Sequence, residues 1–202
     1  MKILRKITED EMTTIFLKAK MGSFRFAKEM KQLMKKYGAD QKIIDDPNFE
    51  DQNENKLRKK LLQSFGGSDD EGHLFENFPK NVSWNRVLLT KIDLKKVKYI
   101  DYDYWNELSN GTRLVSEGAL NIRKGVEIFR QNNQHFWNAL DALKKGQKFI
   151  ETILIAKNHN ADLVVVDGHL RLTVYLLDPN FTPNKIEAIL GFSENFQNWD
   201  MY

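Results

Sequence analysis

Asp167, Gly168, His169 and Arg171 are the residues of this sequence best suited to chemistry. They follow an apolar, β-branched run that predicts a strand, and they open a segment whose apolar spacing predicts a helix over 169–177. A strand that enters a helix through a glycine gathers free backbone N–H groups at one point. With an arginine in the first helical turn, this junction predicts a binding site for an anion such as phosphate.

Each polar residue of the junction has two interpretations. Arg171 either binds a phosphate, which would offset the cost of a cation at the positive end of a helix, or forms an ion pair with Asp167. His169 either donates to a phosphate and acts as an acid and base, or packs as an ordinary histidine. Asp167 either caps the helix, or acts as a general base or magnesium ligand. We take Asp167 and His169 as catalytic candidates, and Gly168, His169 and Arg171 as the ligand-binding candidates.

A second acidic group lies in the aromatic segment 99–108. Asp101 and Asp103 would share one face of an extended strand, with Glu107 nearby, and carboxylates on one face suit a divalent cation. The other interpretation is a solvated acidic surface. The sequence has no cysteine, which excludes disulfides, thiolate catalysis and cysteine-ligated metal centres. It also has no Walker-type glycine loop, His-Glu-x-x-His or Gly-x-Ser-x-Gly motif.

The elements that must position the junction alternate between helix and strand. Asp93 predicts the cap of a short helix through Val97, and Ser116 predicts the cap of a helix that ends near Gly125. A further helix around 136–143 is ended by a glycine. The predicted strands are 82–90, 150–156, 163–166 and 186–191. Thr173 and Tyr175, inside the predicted helix, are expected to pack or to bond to the backbone.

Helical periodicity dominates the front of the chain. A capping box from Thr8 to Glu11 begins the first helix, and Gly38 ends the second. We predict a helical region over 1–65, a linker loop over 66–80 and a second domain over 81–202. Residues 1–65 hold 15 Lys/Arg against 10 Asp/Glu, a balance of +5, so these helices are a candidate surface for DNA or an acidic protein partner.

The composition is that of an ordinary folded chain, with 41% hydrophobic and 29% charged residues and a net charge of +3. No run approaches the roughly 18 apolar residues that a membrane helix needs. The first residues lack an apolar stretch of signal-peptide length. These features predict a cytoplasmic protein with no membrane association.

The motif from Val166 to Arg171, with Leu172-Thr173-Val174-Tyr175 after it, resembles the ParB/sulfiredoxin superfamily. In that superfamily a β-hairpin leads through such a turn into a buried helix and a short strand. The resemblance covers about 82–192. The whole chain, down to Tyr202, also resembles a family of uncharacterised bacterial proteins. The superfamily resemblance implies an α+β fold with a small mixed sheet and flanking helices. It further implies that Gly168, His169 and Arg171 hold the phosphates of a nucleotide, ATP or CTP, with Mg²⁺.

Departures from the family pattern argue against two activities of the superfamily, sulfinic-acid reduction and chromosome partitioning. His169 stands where sulfiredoxins have their catalytic cysteine, and Leu170 replaces the second histidine of the related serine kinases. Partition proteins of the ParB type have Glu-Arg-Arg at these positions. Arg113 follows a Ser-Asn-Gly turn that faces the nucleotide only by analogy with the superfamily. The resemblance thus implies a nucleotide-binding protein, either a phosphotransferase or an NTPase. The alternatives are a non-catalytic DNA- or protein-binding module and a ParB-like nuclease.

Overall fold

The computed structural model describes residues 1–65 and 74–202, which form two units. One unit joins Met1–Lys6 to Pro79–Tyr202 and contains the β-sheet. The other unit, Ile7–Phe78, is helical in its described part. The helical unit is therefore an insertion between the first and second strands of the sheet.

The described residues contain nine α-helices, six strands and a closing 3-10 helix. The strands are β1 (Lys2–Lys6), β2 (Ser83–Leu89), β3 (Val97–Tyr99), β4 (Thr152–Ala156), β5 (Leu163–Asp167) and β6 (Ile186–Phe192). The α-helices are α1 (Glu9–Met21), α2 (Ala27–Tyr37), α3 (Lys42–Asp45), α4 (Gln52–Phe65), α5 (Lys91–Leu94), α6 (Asp103–Leu108), α7 (Val115–Arg123), α8 (Gln134–Lys144) and α9 (His169–Leu177). The 3-10 helix is Glu194–Asn198.

The strands form one mixed sheet in the order β1-β2-β6-β4-β5-β3. Pairing is antiparallel between β1 and β2, β2 and β6, and β4 and β5. It is parallel between β4 and β6 and between β3 and β5. All five residues of β4 are buried, which explains why its sequence is continuously apolar apart from Thr152. Since β5 lies between β4 and β3, the junction between β5 and α9 begins at an interior strand of the sheet.

Helix α9 is apolar on most of its surface because it packs on two sides. Leu172 contacts the sheet in a cluster that includes Leu154 of β4. Val174 belongs to a second cluster with Phe136 of α8 and with residues of α6 and α7. Packing on both sides fixes the position of α9, and with it the turn that precedes the helix.

Most of the predicted elements are confirmed. The helix predicted over 169–177 has those bounds, and the α+β class agrees with the mixed sheet and its helices. The capping box is present: the Thr8 hydroxyl accepts from the Glu11 N–H at 3.1 Å, and the Glu11 carboxylate accepts from the Thr8 N–H at 2.9 Å. Gly38 ends α2 in the left-handed conformation, with a φ of 63°.

Two predicted caps are wrong. Thr90, and not Asp93, caps α5, because Asp93 occupies the third helical position and completes a capping box with Thr90. Val97, predicted to end that helix, lies instead in β3. Ser116 is already inside α7, which follows Leu114 without any side-chain cap.

The front of the chain divides differently from the predicted 1–65 region. Ahead of the helices, β1 pairs with β2 and so satisfies its backbone groups in the sheet. Its Lys2, Arg5 and Lys6 account for three of the fifteen cations, so residues 7–65 hold 12 Lys/Arg against 10 Asp/Glu, a balance of +2. Part of the predicted linker, 66–73, lies outside the described residues. No helix within 1–65 or 74–202 combines the length and the apolar content that crossing a membrane requires.

Candidate phosphate-binding turn

Gly168 connects β5 to α9 in a left-handed conformation, with a φ of 98° and a ψ of 24°. A Cβ at this position would lie 2.5 Å from Thr152 Cγ2 and 2.9 Å from Arg171 Nη2. Glycine is therefore required here both by the backbone and by the packing. Because Gly168 is also the N-cap, α9 begins without a side-chain cap for its first N–H groups.

The Arg171 guanidinium folds back across this turn. Its Nη2 forms a close ion pair with Asp167, and its Nη1 donates to the carbonyl oxygens of Ile150, at 3.0 Å, and Glu151, at 3.2 Å. The two charged side chains are 14% and 7% exposed. The ion pair foreseen as the alternative to phosphate binding is thus present. It ties the residues before β4, the end of β5 and the first turn of α9 together.

The His169 imidazole is held by aromatic rings. It stacks on the Trp105 indole with centroids 4.9 Å apart and planes 10° from parallel. Trp105 in turn stacks on Tyr99, with centroids 4.5 Å apart and planes at 21°. The stack fixes the plane of the imidazole beside the first turn of α9. Sequence reasoning identified the aromatic segment but not its contact with His169.

A buried hydrogen-bond relay supports this stack. Thr173 Oγ1 donates to the His169 carbonyl oxygen at 2.7 Å, so the Tyr99 hydroxyl, 2.6 Å from Thr173 Oγ1, is the donor to threonine. Burial raises the pKa of the Tyr99 phenol, which keeps it protonated for this role. Gly118 leaves space for the ring, since a Cβ there would lie 2.5 Å from the Tyr99 hydroxyl oxygen. The backbone-bonding role expected of Thr173 is confirmed.

Thr152 is a residue of the site that sequence reasoning missed. It is 1% exposed and lies against Gly168. Among the described residues, its hydroxyl has no hydrogen-bond partner. Burying a polar group without a hydrogen-bond partner costs folding free energy, so a threonine hydroxyl buried in this way next to the turn is unusual. The feature of the sequence that could have identified Thr152 is that it is the single polar residue of an otherwise apolar strand.

The two buried threonines give a matched test of hydrogen bonding in the site. Thr152→Val removes a hydroxyl that bonds to nothing described, so we expect the free energy of unfolding to stay within about 0.5 kcal/mol of the native value or to rise. Thr173→Val leaves Tyr99 without its acceptor, and we expect a loss of about 1–3 kcal/mol. Urea denaturation of both variants measures the contrast. Equal losses would contradict these assignments.

The acidic group at 101–107 does not form the predicted extended face. Asp103 begins α6, whereas Asp101 accepts from Asn106 Nδ2 at 2.7 Å and lies 3.7 Å from Arg113 Nη1. The two aspartates therefore do not lie in one extended strand. Over residues 1–65 and 74–202, no group of three or more His, Asp or Glu side chains is arranged to hold a metal ion.

Arg113 does not point its donors at the turn. Its Nε and Nη2 donate to the Tyr99 carbonyl oxygen at 3.0 and 2.8 Å, and its Nη1 donates to the Tyr202 carbonyl oxygen at 2.8 Å. It adopts a left-handed backbone conformation, with a φ of 61°. Arg113 therefore ties the end of β3 to the last residues of the sheet unit.

Asp167, Gly168, His169 and Arg171 thus lie together at one turn, while Arg113 makes its contacts elsewhere. No family model, curated protein or solved structure matches this chain. The resemblance to the ParB/sulfiredoxin superfamily stays a prediction that depends on the motif ending in Arg171.

Proposed function

We propose that the sheet unit binds the phosphate groups of a nucleotide at the start of α9. The observation that carries this proposal is the Gly168 turn, where an interior strand passes through a left-handed glycine into a helix with no side-chain cap. The N–H groups of such a first turn, together with the positive end of the helix dipole, favour an anion at this point.

Arg171 and His169 support the same location. Arg171 Nη1 is held by two carbonyl oxygens, so Nη2 is the nitrogen that a phosphate would share with Asp167. An arginine that is already oriented loses little entropy when it binds a phosphate. The His169 ring, fixed against Trp105, would donate to a phosphate oxygen or transfer a proton.

The superfamily resemblance extends the proposal to the ligand and the reaction. The nucleotide would be ATP or CTP, with Mg²⁺ bound to its phosphates and to Asp167, and the reaction would be phosphoryl transfer or nucleotide hydrolysis. A bacterial, cytoplasmic setting belongs to the same proposal. The alternative of a DNA- or protein-binding role for the front helices has less support, because residues 7–65 carry a balance of only +2.

Thermal denaturation with ATP, ADP, CTP and GTP, with and without Mg²⁺, tests the proposal. A ligand that binds only the native state raises the melting temperature by mass action, by an amount that grows with ligand concentration. We expect one nucleotide to raise the melting temperature of the native protein. Arg171→Ala should lose that rise relative to its own melting temperature without nucleotide.

Arg113→Ala is the matched control for the loss of a buried arginine. Arg113 also donates to backbone carbonyl oxygens, and its side chain is 17% exposed, close to the 14% of Arg171. The control should keep the full nucleotide response even where it is less stable. A response retained in Arg171→Ala would show that the nucleotide binds elsewhere, and no response with any nucleotide would refute the proposal.

A further inference from the structure

An open surface pocket of about 290 Å³, called the cavity below, lies in the sheet unit away from the Gly168 turn, and three residues of its lining, Lys95, Arg123 and Pro179, are exposed. Its lining residues are Lys95, Ser116, Arg123, Leu176 and Pro179. Leu176 is near the end of α9, seven residues from His169 and hence about 10 Å along the helix. The cavity is therefore distinct from the proposed phosphate site and does not depend on it.

The charged residues of the cavity are both cations. Within the described parts of the chain, neither Lys95 nor Arg123 forms an ion pair, whereas nearby Lys98 pairs with Asp162 at 2.7 Å. A concave surface with cations that have no carboxylate partner has a positive potential, which attracts an anion.

The two cations that line the cavity belong to different segments of the chain. Ser116 and Arg123 are seven residues apart on α7, so they lie on one face, two turns and about 10 Å apart. The Lys95 backbone lies beside Ser116, because the Ser116 hydroxyl donates to the Lys95 carbonyl oxygen at 3.5 Å. Lys95 and Arg123 therefore enter the lining of the cavity from backbone positions about two helical turns apart.

The rest of the lining is apolar. Leu176 contributes from α9, and Pro179 follows that helix. The position of Pro179 is fixed by Lys91 Nζ, which donates to its carbonyl oxygen at 2.9 Å. The volume falls near the lower end of small-molecule pockets, which occupy roughly 300–1,000 Å³.

We infer that this cavity binds a small α,ω-dicarboxylate. One carboxylate pairs with the planar fork of Arg123, and the other pairs with Lys95. The methylene chain between them packs against Leu176 and Pro179. Two cations from separate backbone positions, together with an apolar lining, favour a ligand that has two separated negative charges.

Calorimetric titration of the native protein with glutarate, adipate and suberate tests the inference. Hexanoate, which has one carboxylate, and inorganic phosphate serve as comparison ligands. We expect one dicarboxylate to bind about two- to fivefold more tightly than hexanoate, since it adds a second charged contact with an exposed cation. Equal binding of hexanoate, tighter binding of phosphate, or no binding of any dicarboxylate would overturn it.

Variants at the two ends locate the binding site. Arg123→Gln and Lys95→Gln should each weaken binding of the preferred dicarboxylate by up to about fivefold, because each removes one exposed charged contact. Lys124→Gln, which changes the neighbouring exposed cation outside the cavity lining, should leave the affinity unchanged. Unchanged binding in Arg123→Gln would place the ligand elsewhere. Because these variants leave the Gly168 turn intact, the result is independent of nucleotide binding.

Discussion

Gly168→Ala is expected to lower the free energy of unfolding by about 3 kcal/mol or more, from two separate causes. An alanine at a φ of 98° adopts a backbone conformation that L side chains rarely occupy. Its Cβ would also lie 2.5 Å from Thr152 Cγ2, inside a strand that cannot move away. For a chain of this size such a loss lowers the melting temperature by about 6–12 °C, which calorimetry measures directly.

Two other glycines separate the causes. Gly146 has a φ of 89° but nothing within 4 Å of an added Cβ, so Gly146→Ala isolates the backbone cost. Gly118 has no positive φ, but an added Cβ would lie 2.5 Å from the Tyr99 hydroxyl oxygen, so Gly118→Ala has the steric cost without the backbone cost, offset by about 1 kcal/mol of helix propensity. We expect the loss for Gly168→Ala to exceed either control. A loss no larger than that of Gly146→Ala would show that the turn relaxes freely.

Arg171→Ala is expected to cost about 3 kcal/mol of folding free energy, because it removes the cation that forms an ion pair with a buried carboxylate. Asp167 is only 7% exposed and would lose the guanidinium that faces it. The carbonyl oxygens of Ile150 and Glu151 would lose their donor as well. Denaturation by urea at neutral pH measures the change in unfolding free energy.

The exposed pair of Lys98 and Asp162 is the comparison for Arg171→Ala. Asp162 is 58% exposed, so Lys98→Ala should cost no more than about 1 kcal/mol. The double variant Asp167→Asn with Arg171→Ala should be more stable than the sum of the two single losses, since neither charge is then left alone. Strict additivity would show that the two side chains do not interact.

The junction between β5 and α9 can be predicted from the local sequence alone. Helix α9 was predicted with its observed bounds because its glycine, its apolar spacing and its length agree within about ten residues. Strands β1 and β3 were missed because each is short and is defined by its partner. Lys2–Lys6 becomes a strand only through pairing with β2, far along the chain.

Within the site, too, local sequence does not reveal contacts with residues far along the chain. The motif located Asp167, Gly168, His169 and Arg171, but the contacts that orient them come from distant positions. Thr152 reaches the turn from β4, and Trp105 reaches His169 from α6. Nothing in the local spacing connects those residues to the motif. Periodicity predicts which elements form, whereas the side chains that surround a turn depend on how the strands are ordered in the sheet.

The insertion of the helical unit between β1 and β2 has a consequence for how the chain is made. During synthesis Ile7–Phe78 emerges early from the ribosome, and all the residues that form this unit are then present together. The sheet must wait, because β6, which pairs with both β2 and β4, is its last strand. During that interval β2 and the apolar strand β4 each lack one of their pairing partners, and this is the stage at which the nascent chain is most exposed to aggregation.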